Sequence, residues 1–142
     1  MRTLKAILAG LVCVFITPNC PAVEKDISEY TFEDLLDAIA KIESNNNPDA
    51  IGDGGRAVGA FQIHEIYVND VNRISDYPFY CYDDRYDYAK SREMVRIYLL
   101  HYGQNRSLFE MAQIHNGGPK GYAKKSTIAY AEKVYGIMAK AK

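Results

Sequence analysis

The chain has 142 residues, of which 48% are hydrophobic and 25% charged, and its formal charge is −1. That balance fits a globular domain and excludes a disordered tail, a collagen-like or low-complexity chain and a basic nucleic-acid module. Residues 1–22 read as a signal peptide: a basic start from Met1 to Lys5, the apolar run AILAGLVCVFI from Ala6 to Ile16, and the small-residue site C-P-A ending at Ala22. An apolar run this short does not span a bilayer, so no stable membrane insertion is expected after its removal; an uncleaved anchor is the alternative. Cys20 lacks the Leu and small residues that precede lipidated bacterial cysteines. Cleavage after Ala22 leaves Cys81 alone and no internal disulfide, whereas cleavage before Cys20 leaves a Cys20–Cys81 bridge open. A domain of roughly 120 residues then holds by packing, and the lack of bridges points to a bacterial periplasm more than to a disulfide-rich secretion.

Residues 23–142 carry no internal repeat and no Pro/Gly/Ser linker, which makes one domain the economical reading. The first helix is predicted to start at the N-cap Thr31, to carry Phe32, Leu35, Leu36, Ile39 and Ile42 on one face, and to stop before Asn45-Asn46-Asn47-Pro48. Glu43 continues the stripe of Leu36 and Ile39 at its C-terminal end. The Gly-rich stretch from Ile51 to Gly59 suits a loop or a small β-tongue. Helical spacing follows from Gln62 to Ile74, through Ile63, Tyr67, Val71 and Ile74, and again from Ala89 to Tyr102, closed by Gly103. Ser107 with Glu110 makes a capping box for a short helix ending before Asn116, and Thr127 to Met138 forms the last helix. The expected class is mainly α, a helical domain with a small Gly-rich loop or β-tongue beside the Glu43 helix.

Charge is unevenly spread. Residues 23–87 hold 15 acids against 5 bases, whereas residues 88–142 hold 3 acids against 10 bases. A basic half steers anionic polymers, or else two complementary halves face one another. Asp76 to Tyr88 carries five of the twelve tyrosines, which suit sugar stacking or packing. The three histidines lack zinc spacing and the Gly-rich loop lacks a phosphate-binding Lys-Ser/Thr, so no metal and no cofactor are expected.

Glu43 is the leading chemical candidate. A carboxylate drawn into an apolar face loses solvation of its charged form and its pKa should rise, as a general acid near neutral pH requires; the alternative is a helix-terminal Glu that swings into solvent. Its company is E-S at 43 and 44, G-D-G-G-R-A-V-G-A-F-Q-I from Gly52 to Ile63, and I-H-N-G-G-P from Ile114 to Pro119. With these motifs, residues 32–138 resemble the lysozyme-like superfamily of peptidoglycan-cleaving enzymes, in particular soluble lytic transglycosylase domains and goose-type lysozymes.

The resemblance implies a monomeric enzyme exported to the periplasm or secreted. Its partner would be peptidoglycan glycan strands, and it would cut the β-1,4 bond between N-acetylmuramic acid and N-acetylglucosamine. The E-S motif falls on Glu43 and Ser44, which implies Glu43 as the catalytic acid. The G-x-x-Q motif places Gln62 in the sugar cleft. The A-Y-N-A-G-type motif falls on Ile114 to Gly118, so Asn116 would support the site and His115 stands where Tyr is usual. Tyr130 matches the Tyr whose hydroxyl in relatives reaches the acid. Asp53 matches the goose-type Asp that positions hydrolytic water, although Asp-Gly is also a turn signal. With Asp53 as a second carboxylate the enzyme would hydrolyse; with Glu43 alone, the preferred reading, the sugar's own hydroxyl would close a 1,6-anhydro ring. A domain that binds cell-wall glycan without cutting it is the rival from another class.

Overall fold

The computed structural model describes residues 29–76 and 79–142. The signal-peptide reading, the Cys20 bridge and Tyr77 fall outside the described residues, and Cys81 is free and exposed.

Helix α1 spans Phe32–Ser44. It begins where expected because Thr31 and Asp34 form a capping box: Thr31 Oγ1 accepts the Asp34 N–H at 3.1 Å and the Asp34 carboxylate accepts the Thr31 N–H at 2.7 Å. It ends at Asn45, which takes a left-handed conformation with φ 60°. Asparagine tolerates that conformation better than most side chains, and a second Asn with positive φ follows it. Leu35, Leu36 and Ile39 are wholly buried, which confirms the apolar face read from the sequence.

The Gly-rich stretch forms a β-tongue. Strands β1 (Ile51–Gly52) and β2 (Ala57–Val58) pair antiparallel, Ile51 opposite Val58 and Gly52 opposite Ala57, around a 3-10 turn over Asp53–Gly55. Val58 then exchanges backbone hydrogen bonds with Ile63, so the chain doubles back once more before helix α2 (Glu65–Ile74). This corrects the expected start of that helix at Gln62. Ile63 is buried by the β-bridge and not by a helical face, Gln62 has φ 48°, and His64 is the extended N-cap.

Helix α3 (Tyr88–Tyr102) is capped by the Asp87 carboxylate, which accepts the Lys90 N–H at 2.9 Å, and is closed by Gly103 as predicted. Helix α4 (Leu108–Gly117) starts at the Ser107–Glu110 capping box but does not stop before Asn116. Its hydrogen bonding continues to Gly118, whose N–H reaches Ile114 O at 2.9 Å and whose φ of 80° breaks the helix. His115 and Asn116 therefore ride on the last helical turn. Helix α5 (Ile128–Lys140) follows a buried Thr127, whose hydroxyl bonds the Gly121 and Lys124 carbonyls instead of capping the helix.

The domain is mainly helical, with α1 packed chiefly on α5 and also on α4, and α3 joined to α2 and α4. One continuous core includes Leu35, Leu36, Ile39, Phe61, Met94, Leu99, Ile114 and Val134. The oppositely charged halves meet where α1 faces α3: Arg92 reaches Asp37 and Glu33, and Arg96 reaches Glu33. The hydrogen bonds from Arg96 and Arg92 hold the Glu33 carboxyl at about 2. The β-tongue is fixed from behind by Gly59, which has φ 79° and whose missing Cβ would stand 1.9 Å from the Arg85 carbonyl oxygen. Arg85 is itself buried, donating from Nε to Tyr82 O at 2.7 Å and from Nη1 to Ile63 O at 3.3 Å.

Candidate active site

A cleft of about 860 Å³ opens between the end of α1, the β-tongue, α2 and the end of α4. Glu43, Asp53, Gln62, His115 and Asn116, drawn from positions up to 73 residues apart in the sequence, all line it.

Glu43 occupies the last turn of α1, and its side chain is 20% exposed. The Tyr130 hydroxyl on α5 donates to Glu43 Oε1 at 2.6 Å, and His115 Nε2 on α4 lies 3.6 Å from the same oxygen. The imidazole lowers the carboxyl pKa through hydrogen bonding first and through charge second. Burial is the largest single influence on the carboxyl and pushes its pKa up, but His115 and Tyr130 together outweigh it, so the net shift is below the ordinary glutamate value. The expected rise is thus reversed. Position on an apolar stripe indicated the desolvation but not the two partners that the fold brings to the same oxygen. Burial and the adjacent Glu43 charge push the Tyr130 hydroxyl far up, so it remains a donor.

Gln62 holds its place by unusual backbone. Its φ of 48° turns the side chain under the tongue, where Nε2 donates to Gly59 O at 3.0 Å and Ala50 O at 3.3 Å. Its Oε1 passes so close to Gly52 that a Cβ there would lie 2.2 Å away. Asp53 sits at the tip of the tongue with φ 48°. Arg56 Nη2 donates to its Oδ1 at 2.6 Å, and His64 Nε2 lies 3.4 Å from its Oδ2. Asp53 is therefore both the turn residue that Asp-Gly signals and a carboxylate facing the cleft.

Ser44 and Tyr130 do not line the cleft, and both brace it. Ser44 Oγ donates to Ala60 O at 2.9 Å and accepts the Asn47 N–H at 2.9 Å, tying the end of α1 to the turn that carries Gln62. Asn116 is exposed on the cleft rim, whereas the His115 side chain is only 6% exposed. Among its described residues the Tyr-rich segment lends no wall: Tyr80 is buried, Tyr82 and Tyr86 face outward, and Tyr88 packs on Phe61 at 5.7 Å.

The sequence reading missed the contribution of α2. Ile66, Tyr67, Asp70 and Arg73, with Tyr98 from α3, make up the far part of the cleft. There Asp70 pairs with Arg73 and accepts the Tyr102 hydroxyl at 2.7 Å. The spacing of Ile66, Asp70 and Arg73 at i, i+4 and i+7 marks one helical face, a signal present in the sequence beside the Tyr67, Val71 and Ile74 stripe that alone was read. Tyr67 is half-buried, its hydroxyl oxygen is buried without a hydrogen-bond partner, and burial pushes its pKa well up.

Among the described residues no group of three or more His, Cys, Asp or Glu could hold a metal ion, and no helix is long and apolar enough to cross a membrane. The chain matches no protein-family model and no curated protein.

Proposed function

We propose that this chain is an exported, monomeric, lysozyme-like glycosidase that cleaves the β-1,4 bond between N-acetylmuramic acid and N-acetylglucosamine in peptidoglycan, with Glu43 as its general acid. The observation that carries this reading is the convergence on one cleft of a half-sheltered carboxylate, held at one oxygen by Tyr130, with the amides of Gln62 and Asn116. That arrangement suits a neutral, hydroxyl-rich polymer: amides to bind sugar substituents, a carboxyl to protonate a leaving oxygen, and an open cleft to receive it.

Glu43 in its acid form gives its proton to the glycosidic oxygen as the bond to the anomeric carbon breaks. The carboxylate so formed then accepts the proton of the sugar's own 6-hydroxyl while that oxygen bonds the anomeric carbon, giving the 1,6-anhydro end and restoring the acid. Because Oε1 is engaged by Tyr130, Oε2 is the oxygen available for both transfers. Asp53 favours a second reading. A second carboxylate in the same cleft, clamped by Arg56 and beside His64, is suited to hold the water of a hydrolytic step.

Mass spectrometry of products from purified peptidoglycan, with Glu43→Gln in parallel, tests the proposal. Anhydro ends support the transglycosylase, and reducing ends support the hydrolase. If neither protein releases a soluble product although both bind glycan, the domain is a binding module and the enzymatic reading fails.

A further inference from the structure

Among the groups around the cleft, the proposed chemistry leaves one buried titratable side chain unused. The His115 side chain is 6% exposed, its Nδ1 is buried with no hydrogen-bond partner, and its Nε2 stands 3.6 Å from Glu43 Oε1. Its ring stacks on Tyr130 with centroids 6.3 Å apart and an interplanar angle of 27°, and meets the edge of Tyr67 at 5.9 Å. Two aromatic side chains from different helices thus arrive side by side at one oxygen of one carboxylate. A ring so enclosed has little surface to offer a sugar, and its Nε2 faces the Glu43 carboxylate.

We propose that His115 is a positioning residue that acts through Glu43, controlling when the carboxyl holds the proton that glycoside cleavage needs. The inference rests on the reading of Glu43 as the general acid. With the imidazole charged, the pair is an ion pair and Glu43 stays a carboxylate. When the imidazole gives up its proton, that electrostatic hold on the carboxylate disappears and Glu43 keeps its own proton more readily. The proton count balances at each step, because the pair exchanges protons with solvent or substrate and no other co-reactant takes part. The titratable groups packed on the imidazole are Glu43 from α1, Tyr130 from α5 and Tyr67 from α2. Asp53, His64, Asp70 and Arg73 line the same cleft. Tyr130 and Tyr67 hold their protons throughout the working range, which leaves Glu43 and His115, 3.6 Å apart, as the two facing groups whose charges can couple. The lowered Glu43 pKa agrees with this arrangement.

Two measurements test the inference. In the first, His115→Gln and His115→Phe are compared with the wild-type chain for kcat, KM and the pH profile of kcat/KM on purified glycan strands. The expected result is an unchanged KM, a fall in kcat of about tenfold to a hundredfold from the misplaced acid, and an alkaline limb moved to higher pH in both variants. An unmoved limb, or a loss confined to KM, overturns it. In the second, the carbon resonance of the Glu43 carboxyl is followed by NMR through a pH titration of the wild-type chain, which needs neither turnover nor a folded variant. The expected curve has two steps, the second vanishing in His115→Gln; a single-step curve in the wild type overturns the coupling. Should the chain cut no glycan at all, the function proposed above fails while the two-step titration still decides the pairing.

Discussion

Tyr130→Phe isolates the hydroxyl that reaches Glu43. Phenylalanine keeps the ring and its stacking on His115, so the change deletes one hydrogen bond of 2.6 Å to a carboxylate inside the domain. Hydrogen bonds to charged groups contribute about 1.5–3 kcal/mol to stability, and a domain of this size gains roughly 3–6 °C in Tm per kcal/mol, so the variant should melt about 5–18 °C below the wild type at pH 7. The loss is linked to pH. Glu43 lies below its ordinary value of 4.5 in the folded protein, so the stability from ionised Glu43 is fully present above that value and disappears as pH falls through the lowered folded one. The Tyr130 hydroxyl stays protonated throughout. Thermal unfolding of both proteins from pH 7 down to pH 3.5 should therefore show the gap narrowing only at the acid end. Equal melting points at pH 7, or a gap of constant size, would refute the assignment of Tyr130 to the Glu43 carboxylate.

Glu43→Gln should leave the fold and glycan binding intact and reduce cleavage by at least about a hundredfold, read from soluble muropeptide release; wild-type release would remove Glu43 from the acid role. Because the Glu43 pKa lies low, kcat/KM should be lower at pH 8 than at pH 5, and a profile flat from pH 5 to 8 would contradict proton donation by this group. Asp53→Asn should abolish reducing-end product if water completes the reaction and leave anhydro product untouched if it does not, a difference that mass spectrometry separates directly. Gly59→Ala should destabilise the domain by at least about 2 kcal/mol in urea unfolding, since the new Cβ would collide with the Arg85 carbonyl at a backbone conformation that L residues avoid. A wild-type midpoint would mean that the tongue moves freely away from Arg85.

The helices were legible where a local interaction decides them. Thr31 with Asp34 and Ser107 with Glu110 are capping boxes within four residues of chain, and the α1 stripe needs no partner to be recognised. The two boundary errors have a common source. From Gln62 to His64 the apolar spacing is helical, but pairing of Ile63 with Val58 holds the segment in a bridge that only the completed tongue creates. At the end of α4 a Gly-Gly-Pro sequence signals a break, yet Gly117 stays helical because only Gly118 takes the positive φ. Where a break falls within a pair of glycines depends on what packs against each. A Cβ on Gly117 would meet the Thr127 side chain at 2.6 Å, a neighbour the local sequence does not announce.

The same division explains the site. That Glu43, Gln62 and Asn116 belong together was readable only from the motifs whose resemblance to a known family implied it, since no local interaction joins them in the sequence. The sign of the Glu43 shift was not. Desolvation follows from a position on an apolar face and can be read from one helix, whereas the opposing influences come from Tyr130, 87 residues away, and from His115 on a third helix. The outcome of burying a carboxylate is decided by what meets it inside, and a hydroxyl and an imidazole at one oxygen reverse the direction that burial alone would impose. This is also why the departure at His115 carries more information than the matches beside it. A tyrosine there would bring a second neutral hydroxyl toward Glu43, while an imidazole brings a group whose charge changes with pH, so the chain's pH response should differ from that of a site with tyrosine at this position.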